Sequence, residues 1–393
     1  MTKNLIKGFV YRLKPCASQL SQFEKTFGCV RKMYNELLND IKKGMIRTIP
    51  EIKKSYPYMY ECDSQAYTTA WLQLQQAIKN YKNKTHGQPK FKKKYDLVHS
   101  YTTHTTNNNV RINKKRLKLP KIGWVKIILH RDLPKNAIIK AATIKREASE
   151  YYVSLRVEYP QALNETHNSF ETIIGLDYSP SNLYVDHHGD APEYVKKYIE
   201  EMKALEKKIN YENKKLSRKT QGSNRWNVQK QRIQKIYKKQ HNKRKDFLHK
   251  ESRKIVNIYD TVSIEDLSLK SMGEKPEYKH ENINNDFTEM SKAKHRRKSM
   301  FRIAYGEFIN MLTYKLEDAE KTLIKVGRYY PSSKTCYSCG NKKDIPIHIR
   351  TYRCECGHIM DRDQNAALNI INEGLSIRQK QETGYNEMKW VSA

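Results

Sequence analysis

Apolar residues recur at three- and four-residue steps through Leu20, Phe23, Phe27, Val30, Tyr34 and Leu37, which predicts an amphipathic helix whose stripe faces a core. Ser18 or Ser21 is the expected N-cap. Ahead of it, KGFVYRL (residues 7–13) reads as a strand ended by Pro15. Tyr67, Trp71, Leu74, Ile78 and Tyr81 repeat the helical period over residues 64–82, so residues 16–85 read as a helical unit inserted after the first strand. The period then changes to two. NVRINKKRLKLPKIGWVKIILH, AIIKAATIKRE and EYYVSLRVEY alternate apolar with basic or polar positions, as half-buried strands do. With the first strand they predict a small basic β-barrel over residues 1–15 and 86–165, from which the helical unit protrudes. Residues 160–169 read as a polar connector.

The second half changes character. ETIIGLDYSPSNLYVDHHGD (171–190) reads as an apolar strand, a turn and a second strand. Residues 193–258 read as strongly basic helices broken at KKLSRKTQGSNRWN, with Trp226, Ile233, Tyr237 and Leu248 on one apolar side. YDTVSIEDLSL is another buried strand, and the polar stretch 271–297 is expected to be mobile. FRIAYGEFINMLTYKLEDAEK predicts a helix and TLIKVGRYY a strand; beyond about residue 376 periodicity is lost and a loose tail, 377–393, is expected. Apolar strands alternating with helices predict an α/β domain over 170–328 and 359–376, interrupted by a cysteine-rich segment at 329–358. The fold class is therefore multidomain α+β.

Charge narrows the function. Among 393 residues, 75 Lys+Arg oppose 42 Asp+Glu, a net charge of +33. Such a surplus repels itself and calls for a polyanion, with nucleic acid ahead of a membrane surface or a merely solvated basic face. The 27 tyrosines add rings on which unpaired bases can stack. No run approaches the roughly 18 apolar residues of a membrane span, and MTKNLIKGFVYRLKP lacks the apolar run of a secretory signal, so no membrane partner and a cytoplasmic location are expected. Of seven cysteines, four cluster within residues 336–356, which suits a metal in a reducing compartment; Cys16, Cys29 and Cys62 read as plain buried or half-buried thiols.

Cys336-x-x-Cys339 and Cys354-x-Cys356 are the close pairs that structural zinc requires. The second pair is one residue tighter than the first, which leaves open His358 as a replacement for Cys354 or Cys356. Three acids also stand out. Asp177 ends the apolar IIGLD, Glu265 lies in VSIED, and Asp363 stands where a helix begins, just after Asp361, the expected cap. Each alone is more simply structural. Brought together at strand ends and a helix terminus, they would bind two Mg²⁺ ions and hydrolyse a phosphodiester.

GLDYSPSNLYV, VSIEDLSL, SSKTCYSCG and DRDQNAALNI, in that order, resemble successive segments of TnpB proteins, which insertion sequences encode and which are related to type V CRISPR nucleases. The likeness extends to FGCVRKMYN and LKLPKIGWVKI and so spans most of the chain. It implies an RNA-guided DNA endonuclease: a wedge-type β-barrel with a helical recognition unit, then a RuvC-like (RNase H-type) nuclease domain containing a zinc ribbon between its second and third acids. Carried over by motif, the catalytic, magnesium-holding acids are Asp177, Glu265 and Asp363, with Asn182 matching a family asparagine. Glu265 is preferred to Asp266 because neighbours in a strand face opposite ways. The zinc ligands are Cys336, Cys339, Cys354 and Cys356. Ser179 and Pro180 depart from the family's glycine-containing turn, and the tight second cysteine pair from its usual spacing. The implied partners are a guide RNA from the element and target double-stranded DNA, read chiefly by base pairing. Three alternatives stand beside this: a cleavage-inactive RNA-guided repressor, which lacks one or more acids; a strand-joining transposase; and a miniature type V CRISPR effector.

Overall fold

The computed structural model describes residues 2–45, 47–94, 98–147, 149–162, 172–274, 283–346 and 348–391. They fall into two compact units, Met1–Thr166 and His167–Ala393.

In the first unit, β1 (Thr2–Lys14) leads into α1 (Ala17–Lys42), α2 (Ile49–Ser55), a 3₁₀ turn at Pro57–Glu61 and α3 (Ser64–Lys82). Then follow β2 (Val98–His104), β3 (Arg111–Asn113), β4 (Arg116–Leu119), β5 (Gly123–Ile128), β6 (Ile138–Glu147) and β7 (Glu150–Ala162). The expected connector thus starts later, because residues 160–162 still lie in β7; residues 163–169 fall outside the described residues. All seven strands form one antiparallel sheet, ordered β2-β6-β7-β1-β5-β4-β3. Its ends, β2 and β3, are not paired with each other among the described residues, so the sheet is a half-barrel, which fits the expected β-barrel in part. The helical unit does not protrude. Phe23 stacks on Tyr151 (5.5 Å between centroids) and Phe27 meets Tyr101 edge-on (5.6 Å), so α1 shares one core with the sheet. The stripe read from the sequence is that core, with Phe23, Phe27, Val30, Tyr34 and Leu37 buried. The N-cap is Cys16, not Ser18 or Ser21: its backbone N–H donates to Gln19 Oε1 (3.1 Å), and its thiol is exposed, whereas Cys29 and Cys62 are buried.

The second unit opens with β8 (Ile173–Ser179) and β9 (Leu183–Asp186), followed by α4 (Val195–Ser217), α5 (Asn224–Ile258) and β10 (Thr261–Glu265). Next are α6 (Leu269–Met272), α7 (Ile283–Ile303), α8 (Tyr305–Asp318), β11 (Thr322–Val326), the short strands β12 (Thr351–Arg353) and β13 (Ile359–Asp361), and α9 (Arg362–Val391). Two expectations change. Most of the stretch read as mobile is helix α7, its residues 275–282 lying outside the described residues, and α9 continues to Val391 through the described part of the positions read as a loose tail. On α5, Ile233 and Leu248 are buried as expected, but Tyr237 is exposed and Trp226 only half-buried.

The sheet order is β11-β10-β8-β9, parallel except for the β8–β9 hairpin. Its two faces are written in the strands' alternation. Ile174 and Leu176 of β8 and Val262 and Ile264 of β10 join a core with Phe247, Leu248, Phe308 and Leu312 of α5 and α8. The intervening residues, Gly175 and Asp177 on β8 and Ser263 and Glu265 on β10, lie on the opposite face, where α9 crosses. Two glycines permit that crossing. A Cβ on Gly175 would stand 2.3 Å from the Ala367 carbonyl oxygen, and one on Gly374 would stand 2.3 Å from Ser263 Oγ. The helix can lie close on the strands only because both side chains are missing. Among the described residues, no helix is long and apolar enough to cross a membrane.

Candidate active site

The parallel register pairs Ser263 with Gly175 and Ile264 with Leu176, so Glu265, at the end of β10, and Asp177, where β8 leaves that pairing, lie on the same face of neighbouring strands. α9, held there by its glycine contacts, starts at Arg362 and brings Asp363 to the same place. Asp361 begins the helix: its Oδ1 accepts the N–H groups of Asp363 (2.9 Å) and Gln364 (3.2 Å), the arrangement of an N-capping aspartate. Gln364 in turn donates to the His187 carbonyl (3.2 Å), tying the helix start to the end of β9.

All three acids are half-buried, and each has its carboxyl pushed above the usual range. For Asp177 the shift is large; burial is its main cause, followed by the negative charges of Glu265 and Asp363, against which Arg362 works. Burial is also the main cause for Glu265 and Asp363. The charges on three distant segments are therefore felt at one point. Glu265 accepts a short hydrogen bond from Ser332 Oγ, and Asp363 sits 3.3 Å from Arg350 Nη1. Asp266 lies beyond the end of β10, exposed, 3.8 Å from Arg328, apart from this cluster. Tyr305 is buried near Asp177 and Glu265, and its hydroxyl and that of Tyr178 have no hydrogen-bond partner among the described residues.

The cysteines gather on the segment between β11 and α9. The Sγ atoms of Cys336, Cys339, Cys354 and Cys356 all lie within 4.8 Å of one another, the one such group among the described residues. Each pair sits in a turn closed by a glycine of positive φ: Gly340 (+76°) donates to the Cys336 carbonyl (2.9 Å), and Gly357 (+88°) to that of Cys354 (3.1 Å). This second turn accommodates the tight spacing, so His358 is not needed and lies outside the group. Cys354 is lowered to about 7, first by the backbone N–H of Cys356, which favours the thiolate a metal would take. The set could hold a metal ion of tetrahedral preference.

The ribbon is fastened to α9 by side chains that sequence patterning overlooks. Buried Asn365 accepts from the Tyr337 N–H (3.0 Å) and donates to the Thr335 carbonyl (2.8 Å). Asn369, equally buried, donates to the carbonyls of Ser332 (2.8 Å) and Thr335 (2.7 Å). Ser332 thus meets α9 through its carbonyl and Glu265 through its hydroxyl. The spacing of Asn365 and Asn369, one helical turn apart, was the available signal.

Family models match at residues 1–45 ("Helix-turn-helix domain"), 154–275 ("Probable transposase") and 305–370 ("Cas12f1-like, TNB domain"). A Streptomyces pristinaespiralis protein named "Putative RNA-guided DNA endonuclease" is 27% identical over 96% of this chain and 91% of its own length. "TnpB-like protein L79" of Acanthamoeba polyphaga mimivirus is 31% identical over 38% of this chain and 26% of its own. The chain resembles TnpB proteins along its length. A solved Cas12f1–sgRNA–target DNA complex contains a chain that shares the fold, at a TM-score of 0.56 and 14% identity, covering 93% of this chain and 98% of that one.

The donor sets fit two kinds of metal. Four clustered thiols suit zinc. Three converging carboxylates with raised pKa values, beside orphaned hydroxyls, suit a hard cation whose charge would relieve their repulsion. The carboxylates do not close to the mutual range of the thiols; Ser332 and Arg350 hold two of them instead.

Proposed function

We propose that this protein is an RNA-guided DNA endonuclease encoded by a mobile element, with its nuclease site at Asp177, Glu265 and Asp363. The observation that carries the proposal is the convergence of these acids, from two neighbouring strands and one helix start, at a half-buried site. In this reading the second unit is a RuvC-like, RNase H-type domain spanning 170–328 and 359–376, with the zinc ribbon at 329–358. The first unit combines the wedge-type sheet (1–15, 86–165) with the helical recognition segment (16–85).

Asp177, Glu265 and Asp363 would hold two Mg²⁺ ions, which supply Lewis-acid stabilisation and an activated water at a phosphodiester; Cys336, Cys339, Cys354 and Cys356 would hold zinc. The chain's own residues do the positioning. Ser332 fixes the Glu265 carboxylate, and Asp361 caps the helix that presents Asp363. Arg350, whose side chain is 67% exposed, can leave Asp363 for a phosphate oxygen once that acid engages a cation. The net charge of +33 favours a guide RNA and a DNA target as partners. The relatives' names point the same way.

The test is purification with co-expressed RNA, sequencing of that RNA, and Mg²⁺-dependent cutting of a matching duplex by the parent and by Asp177→Ala. Guide-dependent cutting that survives the substitution would remove Asp177 from the site. Purification without RNA, or cutting indifferent to it, would overturn the guided reading.

A further inference from the structure

A second site lies on the helices of the same unit. One face of α7 carries Lys294, Arg297, Lys298 and Phe301 at helical spacing, and together with α4 and α5 it lines a cavity of about 420 Å³. That is within the roughly 300–1,000 Å³ of small-ligand pockets. Two of its walls are aromatic and open: Tyr237 is 48% exposed and Phe301 59%. Arg244 backs Phe301, with its guanidinium carbon 4.9 Å from the ring centroid and Nη1 donating to the Phe301 carbonyl (3.2 Å), so this exposed ring is held in place. Glu206, the one carboxylate of the lining, is taken by Arg302 through two hydrogen bonds (3.1 and 3.0 Å). The cavity therefore presents three cations whose charge its own lining does not cancel.

These features specify a ligand with flat rings and a polyanionic backbone. Bases within a duplex cannot enter such a cavity, whereas an unpaired base can stack on an exposed ring while its phosphates meet the lysines and arginine. The same helix also braces the candidate active site: Ser299, between Lys298 and Phe301, donates to the Pro180 carbonyl (2.5 Å), in the turn three residues beyond Asp177. We infer that this cavity is a subsite for an unpaired nucleotide of single-stranded DNA, holding the strand that is delivered to the acids. The choice of DNA rests on the nuclease reading above.

The experiment uses the full chain, purified with its co-expressed RNA and carrying Asp177→Asn so that the probe stays intact. The probe is a thymidine oligomer containing 4-thiothymidine, with a uridine oligomer containing 4-thiouridine in parallel. Photo-cross-linking to peptides bearing Tyr237 or Phe301 is expected, with the Tyr237→Ala/Phe301→Ala variant binding the thymidine oligomer about 10- to 100-fold more weakly. Tyr237→Trp/Phe301→Trp should retain binding. Lys294→Gln/Lys298→Gln, which leaves the rings intact, should reduce the salt slope by roughly 1.4, at about 0.7 per phosphate for a single strand. Cross-links confined to other segments, or unchanged affinity and slope in these variants, would overturn the subsite. Preference for the uridine oligomer at the same residues would overturn its assignment to DNA. The two readings fail separately: cross-linking at the cavity with no cutting by the parent leaves the subsite and removes the nuclease. Guided cutting with no effect of the variants does the reverse.

Discussion

Asp177 shows how a functional carboxylate weighs on its own fold. Burial, with Glu265 and Asp363 nearby, raises its pKa, so ionising it costs more in the folded than in the unfolded chain. The sign follows by linkage. Without metal, the stability contributed by its protonated form is fully present below the unfolded pKa, near 4. It is lost as pH rises through the higher folded value. Glu265 and Asp363 are shifted the same way. Metal-free Asp177→Asn should therefore melt higher than the parent at pH 7, by roughly 2–4 °C for each kcal/mol relieved, with a smaller difference at pH 4. Cutting should fall on the order of 10³-fold or more, as loss of several kcal/mol of metal-assisted stabilisation implies. Melting curves at both pH values, with EDTA and with Mg²⁺, check this; an unchanged or lower metal-free melting point at pH 7 would contradict the electrostatic account. Asp177 was legible because a charge at the end of an apolar run has few structural reasons to be there. Ser332, Asn365 and Asn369 were not, since a small polar residue reads as surface until its buried partners are known.

Among the elements, α9 does most to place the candidate site, and its seat on the sheet depends on missing side chains. Gly175→Ala would put a methyl 2.3 Å from a backbone oxygen, which cannot rotate away as a side chain could. Overpacking of this kind typically costs about 1–3 kcal/mol. Because Asp363 rides on the displaced helix, the loss of cutting should exceed what instability explains: about 100-fold for a shift of about 1 Å. Melting and single-turnover cutting, measured together, separate the two effects, and normal cutting by a destabilised variant would show that α9 does not set the geometry. The ribbon supports the same helix through Asn365 and Asn369. Zinc removal by a chelator, with Mg²⁺ kept in excess, should abolish cutting, and zinc should restore it; metal analysis should find about one zinc per chain. The α1 and α3 stripes and the β8–β9 hairpin were readable from periodicity, because each has one dry face. β2 was missed because its buried positions include Thr103, and α7 because polar residues dominate it.

At the scale of the molecule, charge is the dominant fact. α5 alone carries twelve Lys and Arg against two Asp and Glu, and its buried face is correspondingly narrow. A helix this basic repels itself, and polyanion binding offsets that cost, so folding stability and nucleic-acid binding are coupled through the same residues. Two consequences can be measured on one preparation. If six to ten phosphates of a duplex are contacted, affinity should fall roughly 10³- to 10⁵-fold between 50 and 200 mM salt. RNA-free protein should instead gain stability over that salt range, as screening weakens its internal repulsion. Opposite salt responses of binding and stability would identify the charge as a binding surface. If affinity were flat across this range, the surplus would be only a solvated face, and the case for nucleic acid would rest on the acids and the likeness to TnpB proteins alone.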